Sequence, residues 1–262
     1  MKISLITVTL NSEKSILDTI NSVKSQTYQN VEHIFIDGNS SDLTIKIIKK
    51  NTKDGTKILS EDDNGIYEAI NKGIKLCNGD VIGIVNSDDI LFCKNTIRLI
   101  ANEFKNHKVD IIYGDSVFYK DDQFKKPTRY YDSSIFRFNK LKFGVMPAHT
   151  TLFCKKDIFK ENGLYDTSFK IASDFDYFCR LSKIRNIKIN YVNQPLVRMR
   201  EGGKSTGSFY KKLKITSEIL KILKKNKINS NYLIISLRFF LKLRQVFFVR
   251  NKLKSKLNKL NS

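Results

Sequence analysis

The chain has 262 residues, enough for one large domain with an appendage, and its 41% hydrophobic content is that of an ordinary globular protein. The formal net charge of +21 is unevenly spread: residues 201–262 hold 16 Lys and Arg against 2 acidic residues, so the basic character belongs to a C-terminal segment suited to nucleic acid, anionic lipid or water. Cys77, Cys93, Cys154 and Cys179 are widely spaced with no CxxC pair, which excludes a zinc knuckle or a compact disulfide framework and leaves reduced, buried thiols.

Residues 3–10 form a nearly continuous β-branched apolar run, as expected of a parallel strand covered on both faces. With one Lys before it and polar residues after it, the run reads as a buried strand rather than a signal peptide, and a cytoplasmic protein is expected. Asn11-Ser12-Glu13 offers caps for a helix whose apolar face carries Ile16, Ile20 and Val23. A strand follows at 31–36, a helix at about 42–50, a strand at 57–59, a helix at 65–76, a strand at 81–85, a helix at 95–104 and a strand at 111–113. This alternation predicts a doubly wound α/β domain, with ligands beyond the carboxyl ends of the strands.

The period weakens over 119–143, where irregular strands and loops are expected. Order returns at 148–154, followed by helices at 156–161 and 174–183 and a strand near 187–192. From Phe209 onward the pattern is helical. Residues 232–249 are mostly Leu, Ile and Phe, yet Arg238, Lys242 and Arg244 interrupt the middle, which rules out a transmembrane span. Arg238, Lys242, Gln245, Lys252 and Lys256 share one side of a helix and leave a wide apolar face with Leu241 and Phe248, the pattern of an interfacial helix.

The most informative constellation is Asn86-Ser87-Asp88-Asp89, directly after an apolar strand. Adjacent carboxylates repel, and a hard divalent cation that also takes diphosphate oxygens compensates them; the plain alternative is that both cap a turn. Asp37-Gly38-Asn39-Ser40-Ser41-Asp42 ends another strand, so a second acidic loop converges on the same sheet edge. Asp63 is a further candidate nucleotide contact, and Gly65 permits a tight turn before its helix. Tyr67 reads equally well as a pocket wall or as packing. Asp176 is a rival to Asp174 for base work but has Arg180 four residues on as a helical partner.

The ordered segments Ile6-Thr7-Val8-Thr9-Leu10-Asn11, Ser25-Gln26-Thr27-Tyr28, Asp37 through Asp42, Ser60 through Gly73, Asn86 through Asp89 and Ser173-Asp174-Phe175-Asp176 resemble the family 2 glycosyltransferases of GT-A fold, in particular a bacterial surface-polysaccharide branch similar to colanic acid glycosyltransferases. The resemblance covers residues 3 to about 205. It implies a mixed, mostly parallel sheet flanked by helices, with a catalytic domain at 1–205 (donor half about 1–115, acceptor half about 116–205) and a basic amphipathic helical segment at 206–262. Thr9, Asn11, Asp37, Asp63 and Asp88 would then bind a nucleotide-sugar donor, UDP by analogy. Asp88 and Asp89 would form the diphosphate and metal site, with Asp89 on Mn²⁺ or Mg²⁺. Asp174 would be the base of an inverting transfer.

By the same resemblance His149 lines the acceptor side, and Glu201-Gly202-Gly203-Lys204-Ser205 matches a segment that closes over the donor. Arg198, Arg200 or Lys204 would meet phosphate oxygens there. One departure is Asp37-Gly38, where many family members carry two acidic residues. The basic, apolar C-terminal segment suggests an anionic membrane surface, hence a lipid-linked or glycan acceptor and a peripheral position at the inner face of the plasma membrane; packing on the domain or on a homodimer partner is the alternative. Nucleic acid is not expected, because no base-reading motif is present and the cleft is lined by Asp.

Overall fold

The computed structural model describes residues 1–120, 123–201 and 209–238. A nine-stranded sheet runs through it in the order β3-β2-β1-β4-β8-β6-β9-β5, with β7 added on β6. The first four strands, β1 (Ile3–Thr9), β2 (Val31–Asp37), β3 (Ile58–Ser60) and β4 (Val81–Ile84), are mutually parallel. Every residue of β1 is buried, Ser4, Thr7 and Thr9 included, as expected of a strand covered on both faces. Helices α1 (Ile16–Lys24), α2 (Thr44–Lys50) and α3 (Ile66–Leu76) connect these strands. Because β2 and β4 flank β1 on opposite sides, the chain reverses direction across the sheet there and opens a crevice at the carboxyl ends of the strands.

The second half mixes directions. Strand β8 (Phe153–Lys155) inserts antiparallel between β4 and β6 (Ile111–Tyr119), and β9 (Ile189–Arg200) runs parallel to β6 along its whole length. On its other edge the end of β9 pairs antiparallel with the short β5 (Ile90–Leu91), which carries Arg200 to the segment just after β4. Helix α4 (Thr96–His107) covers one face with Ile97, Ile100 and Phe104 against Ile3, Leu5 and Val81. On the other face α3, α5 (Lys156–Asn162) and α6 (Ser173–Leu181) enclose the larger core, which includes Ile6, Ile36, Ile70, Phe136, Phe175 and Phe178.

Helix α7 (Phe209–Lys225) and the short α8 (Tyr232–Ser236) belong to that larger core. Ile219, Ile222, Leu223 and Ile235 are buried in it, each contributing about 1.5–3 kcal/mol of apolar burial. Arg238, expected on the polar side of an interfacial helix, is only 5% exposed and donates to Thr216 Oγ1 at 2.7 Å, so that expectation does not hold at this residue. Lys242, Arg244, Gln245, Lys252, Lys256, Leu241 and Phe248 lie outside the described residues, as does Lys204. Among the described residues no helix is long and apolar enough to cross a membrane.

Several boundaries differ from the expected ones. The strand expected at 111–113 extends to Tyr119 and pairs with β7 (Pro127–Tyr131), inside the stretch expected to be irregular. The strand near 187–192 continues to Arg200. A two-residue register shift at Asp115 accommodates Asn193 and Gln194 ahead of Pro195, a residue that cannot donate to a regular ladder. The segment at 148–154 is a 3-10 turn, His149–Thr151, followed by β8. The side chains of Asn11, Ser12 and Glu13 do not cap α1, whose start at Ser15 has no side-chain cap; they reach Ser41, Ser87 and the Leu43 N–H instead. Cys77, Cys154 and Cys179 are buried free thiols and Cys93 is a half-buried one.

Candidate functional site

The carboxyl ends of β1, β2 and β3 set three polar side chains in a row, because the parallel register pairs Thr9 with Asp37 and Asp37 with Ser60. Asp37 is fully buried. Its Oδ2 accepts from Ser40 N–H at 2.8 Å and Ser60 Oγ at 2.7 Å, and its Oδ1 accepts from Ser40 Oγ. Ser40 Oγ in turn accepts from the Asn11 main-chain N–H at 2.8 Å, while Asn11 Oδ1 accepts from Ser41 N–H at 3.0 Å. Asn11 takes a left-handed φ of 50°, which Asn tolerates and which turns its side chain toward this loop. Thr9 Oγ1 is buried with no hydrogen-bond partner.

Asp63 closes the same edge. Its Oδ1 caps the Gly65 N–H at 2.8 Å, and Gly65 adopts a φ of 131° that side-chain-bearing residues rarely take. Its Oδ2 lies 2.7 Å from where a Cβ on Gly38 would stand. The Asp63 carboxylate therefore occupies the space that a second acidic side chain at position 38 would fill.

The Asp88-Asp89 turn follows β4 and is gripped from beneath. Thr19 Oγ1 of α1 donates to the Asp89 carbonyl at 2.7 Å, Ser12 and Ser87 hydroxyls meet at 2.9 Å, and Arg200 Nη1 donates to the Asp88 carbonyl at 2.9 Å. Arg200 is fixed by Asp18 at 2.6 Å and lies over the Phe124 ring at 4.5 Å. The two carboxylates are not equivalent. Asp89 is 2% exposed, and its carboxylate accepts from Asn86 Nδ2 at 3.1 Å and from the Arg200 main-chain N–H. Burial, and then the neighbouring Asp88 charge, hold its pKa well above the usual carboxylate range. Asp88 is half-buried; burial also raises it, offset in part by Arg200 and His149. Asn86 Oδ1 is buried with no hydrogen-bond partner.

Asp174 lies in the first turn of α6 and is 15% exposed. Its Oδ1 accepts from the Phe175 N–H at 2.8 Å and from the Tyr67 hydroxyl at 3.2 Å, and His149 Nδ1 stands 3.6 Å from its Oδ2. Burial raises the Asp174 carboxyl; His149 and the two hydrogen bonds pull it part of the way back. A carboxylate raised in this way is better matched to proton transfer near neutral pH than an ordinary aspartate. Asp176 is elsewhere. It is fully buried, its Oδ2 accepts from Arg180 Nε at 2.8 Å and its Oδ1 from Asn226 Nδ2 at 2.9 Å, so it joins helices and does not face the cleft.

The structure thus gathers Thr9, Asn11, Asp37 and Asp63 at one end of the crevice and His149 with Asp174 at the other, with His149 also in the field of Asp88. Arg200 meets the Asp88 carbonyl from within the protein. Sequence reading did not find Asp115, a buried carboxylate that accepts from Tyr130, Tyr191 and the Ser133 N–H and knits β6, β7 and β9 together. Its partners lie 15 to 76 residues away, and no local pattern marks them. Among the described residues no group of three His, Cys, Asp or Glu side chains is arranged to hold a metal.

Comparison with known proteins agrees with this fold. The family model Glycosyl transferase family 2 matches residues 4–162. A PGL/p-HBAD biosynthesis glycosyltransferase of Mycobacterium bovis is 24% identical over 204 residues, 76% of this chain and 77% of that protein. The glycosyltransferase GlyG of Streptococcus pneumoniae is 28% identical over 116 residues, 43% of this chain and 38% of that protein. Among solved structures, S. aureus TarS 1-349 in complex with UDP-GlcNAc superposes with a TM-score of 0.65 at 20% identity, covering 85% of this chain and 66% of that one. The mannosyltransferase PcManGT from Pyrobaculum calidifontis, in complex with GDP-Man and Mn²⁺, gives 0.62 at 14% identity over 88% of this chain and 65% of that one. The chain spans about two thirds of the length of these two solved structures. The likeness is one of fold: the mixed, mostly parallel sheet flanked by helices described above is the GT-A fold. With the family model covering more than half of its length, the chain belongs to glycosyl transferase family 2.

Proposed function

We propose that the chain is an inverting glycosyltransferase that moves a sugar from a nucleotide-diphosphate donor, a UDP-sugar, to a hydroxyl of a glycan or lipid-linked acceptor in the assembly of a cell-surface polysaccharide. The observation that carries this reading is the setting of Asp174 in the first turn of α6, with His149 Nδ1 3.6 Å from one carboxylate oxygen and the Tyr67 hydroxyl 3.2 Å from the other. A donor whose diphosphate lies at Asp88 would present its anomeric carbon toward Asp174. The acceptor hydroxyl would lose its proton to Asp174 as its oxygen bonds the anomeric carbon and the bond to the diphosphate breaks on the opposite face. Asp63 would accept a hydrogen bond from the base or ribose, while the fully buried Asp37 would hold the Ser40 N–H and the Ser60 hydroxyl and so shape that end of the site. The UDP-GlcNAc carried by TarS and the naming of the mycobacterial relative support the donor class and a role in glycoconjugate synthesis.

A divalent cation, Mn²⁺ or Mg²⁺, fits the turn after β4. Asp88 offers a half-buried carboxylate, and Asn86 Oδ1 is an acceptor without a partner. We assign the metal-holding role to Asp88 and the shaping of the turn to Asp89, whose carboxylate is turned inward. When bound, the ion would neutralise charge on the departing diphosphate. Exposed Leu213, Tyr232, Leu233 and Leu237 lie on α7 and around α8, in the segment that also carries exposed Lys221, Lys224 and Lys227. This combination supports a peripheral place at an anionic membrane, at the cytoplasmic face.

The test is product analysis. Proton NMR of the glycoside made from an α-linked donor gives a β-linked product if the reading is right, and Asp174→Asn abolishes it while UDP binding survives. An α-linked product, or full turnover in Asp174→Asn, would reject it.

A further inference from the structure

The residues that lead into α6 are held by a carboxylate from the C-terminal helices. The main-chain N–H groups of Lys170, Ile171 and Ala172 all donate to Glu218 of α7, at 3.3 Å to Oε1 and at 3.0 and 3.0 Å to Oε2. These groups precede the helix and have no intrahelical acceptors, so one charged side chain satisfies three donors that the fold otherwise leaves open.

The same short segment is tied on its other side to the donor end of the crevice. The Ile171 carbonyl accepts from the Tyr67 hydroxyl at 2.7 Å, and Lys170 Nζ reaches the Asn64 carbonyl at 3.2 Å, beside Asp63. The Tyr67 hydroxyl also lies 3.2 Å from Asp174 Oδ1 and shares its single proton between the two acceptors, so one group holds both the Ile171 carbonyl and the carboxylate. Ile171 is therefore fixed at its N–H by α7 and at its carbonyl by α3, and Asp174 follows three residues later.

Glu218 is not what docks α7. Ile219, Ile222 and Leu223 are buried in the core, Asn226 binds Asp176, and Lys225 pairs with Asp166 at 2.5 Å. The carboxylate of Glu218 is spent on the backbone before α6.

We propose that Glu218 is a positioning residue for Asp174, acting through the backbone of residues 170–172, and that α7 is thereby part of the catalytic unit. The inference rests on Asp174 being the base. Removing the three-way acceptor frees the entry to α6 and lets Asp174 drift from its place opposite the donor, where a displacement of about 1 Å is enough to cost on the order of 100-fold in rate.

The test compares the full chain with Glu218→Ala, Glu218→Gln, Asn226→Ala and Asp174→Asn. Two readouts are used: steady-state UDP or GDP release from a panel of UDP- and GDP-sugars with Mn²⁺, and amide hydrogen exchange followed by mass spectrometry. The expected result is a kcat about 10- to 100-fold lower in Glu218→Ala with an unchanged donor KM, substantial recovery in Glu218→Gln, which keeps an acceptor oxygen, and faster exchange at 170–172. Asn226→Ala, which loosens α7 without touching that segment, lowers Tm and leaves kcat and the exchange of 170–172 as in the wild type. Wild-type kcat in Glu218→Ala, or unaltered exchange at 170–172, overturns the proposal. Turnover that is insensitive to Asp174→Asn would instead overturn the assignment of the base, and the exchange measurement would still decide whether Glu218 holds the segment.

Discussion

His149 Nδ1 stands 3.6 Å from Asp174 Oδ2, and the same imidazole, where it carries a proton, acts with Arg200 to lower the Asp88 pKa. One side chain thus acts on both the Asp88 and the Asp174 carboxylates. Burial lifts the Asp174 carboxyl and His149 opposes the lift. Replacing His149 with a neutral residue removes the opposing influence, so the folded Asp174 pKa rises further. With Asp174 as the proposed base, which must be ionised to act, the acid limb of the kcat–pH profile in His149→Gln is expected to shift to higher pH. A limb that stays in place or moves to lower pH would separate His149 from Asp174.

Asp174 and Asp176 lie two residues apart and are expected to fail in different ways. Asp174→Asn lowers kcat by about 10²- to 10⁴-fold with little change in Tm, since its carboxylate faces the crevice. Asp176→Ala leaves Arg180 and Asn226 without their shared acceptor and destabilises the fold by about 3 kcal/mol. Urea unfolding and steady-state kinetics on the pair would distinguish the two roles.

The buried Asp89 makes stability depend on pH. Its folded pKa lies well above the unfolded value near 3.9, so the folded state holds an extra proton between the two. That contribution to stability is fully present below the unfolded pKa and is lost as pH rises through the folded pKa. In metal-free buffer, Tm is expected to fall with rising pH above the ordinary carboxylate range, and Asp89→Asn should flatten the fall. An unchanged slope in the variant would assign the pH dependence to other groups.

Gly38 and Asp63 share one space, with 2.7 Å between a Cβ at position 38 and Asp63 Oδ2. The obstructing atom is the end of a flexible side chain, so Gly38→Ala should fold while displacing the carboxylate. Both Gly38→Ala and Asp63→Asn are expected to weaken UDP binding about tenfold, and the double variant by no more than either, because each removes the same contact. Additive losses measured by calorimetry would show that the two positions act separately.

The fold was legible where burial is two-sided. Strands β1 and β4 read directly as apolar runs, and α1, α3 and α4 as apolar stripes. Strand β5 has two residues and β7 begins at Pro127, so neither has a period to read, and the far half of β9 hides behind Asn193, Gln194 and Pro195. Ordered motifs brought Asp37, Asp88, Asp89 and Asp174 into view, but spacing could not say which of two adjacent aspartates faces inward. That depends on Arg200, which arrives from β9 more than a hundred residues later in the chain. Glu218 and Asp115 were invisible for the same reason: each is defined by partners distant in sequence.

Calorimetric titration of UDP, with and without Mn²⁺, into the wild type, Asp88→Asn and Asp89→Asn tests the account at its centre. The account predicts UDP binding that Mn²⁺ strengthens, a metal effect lost in Asp88→Asn, and a metal effect retained in Asp89→Asn. Failure to bind UDP, or an undiminished metal effect in Asp88→Asn, would contradict it.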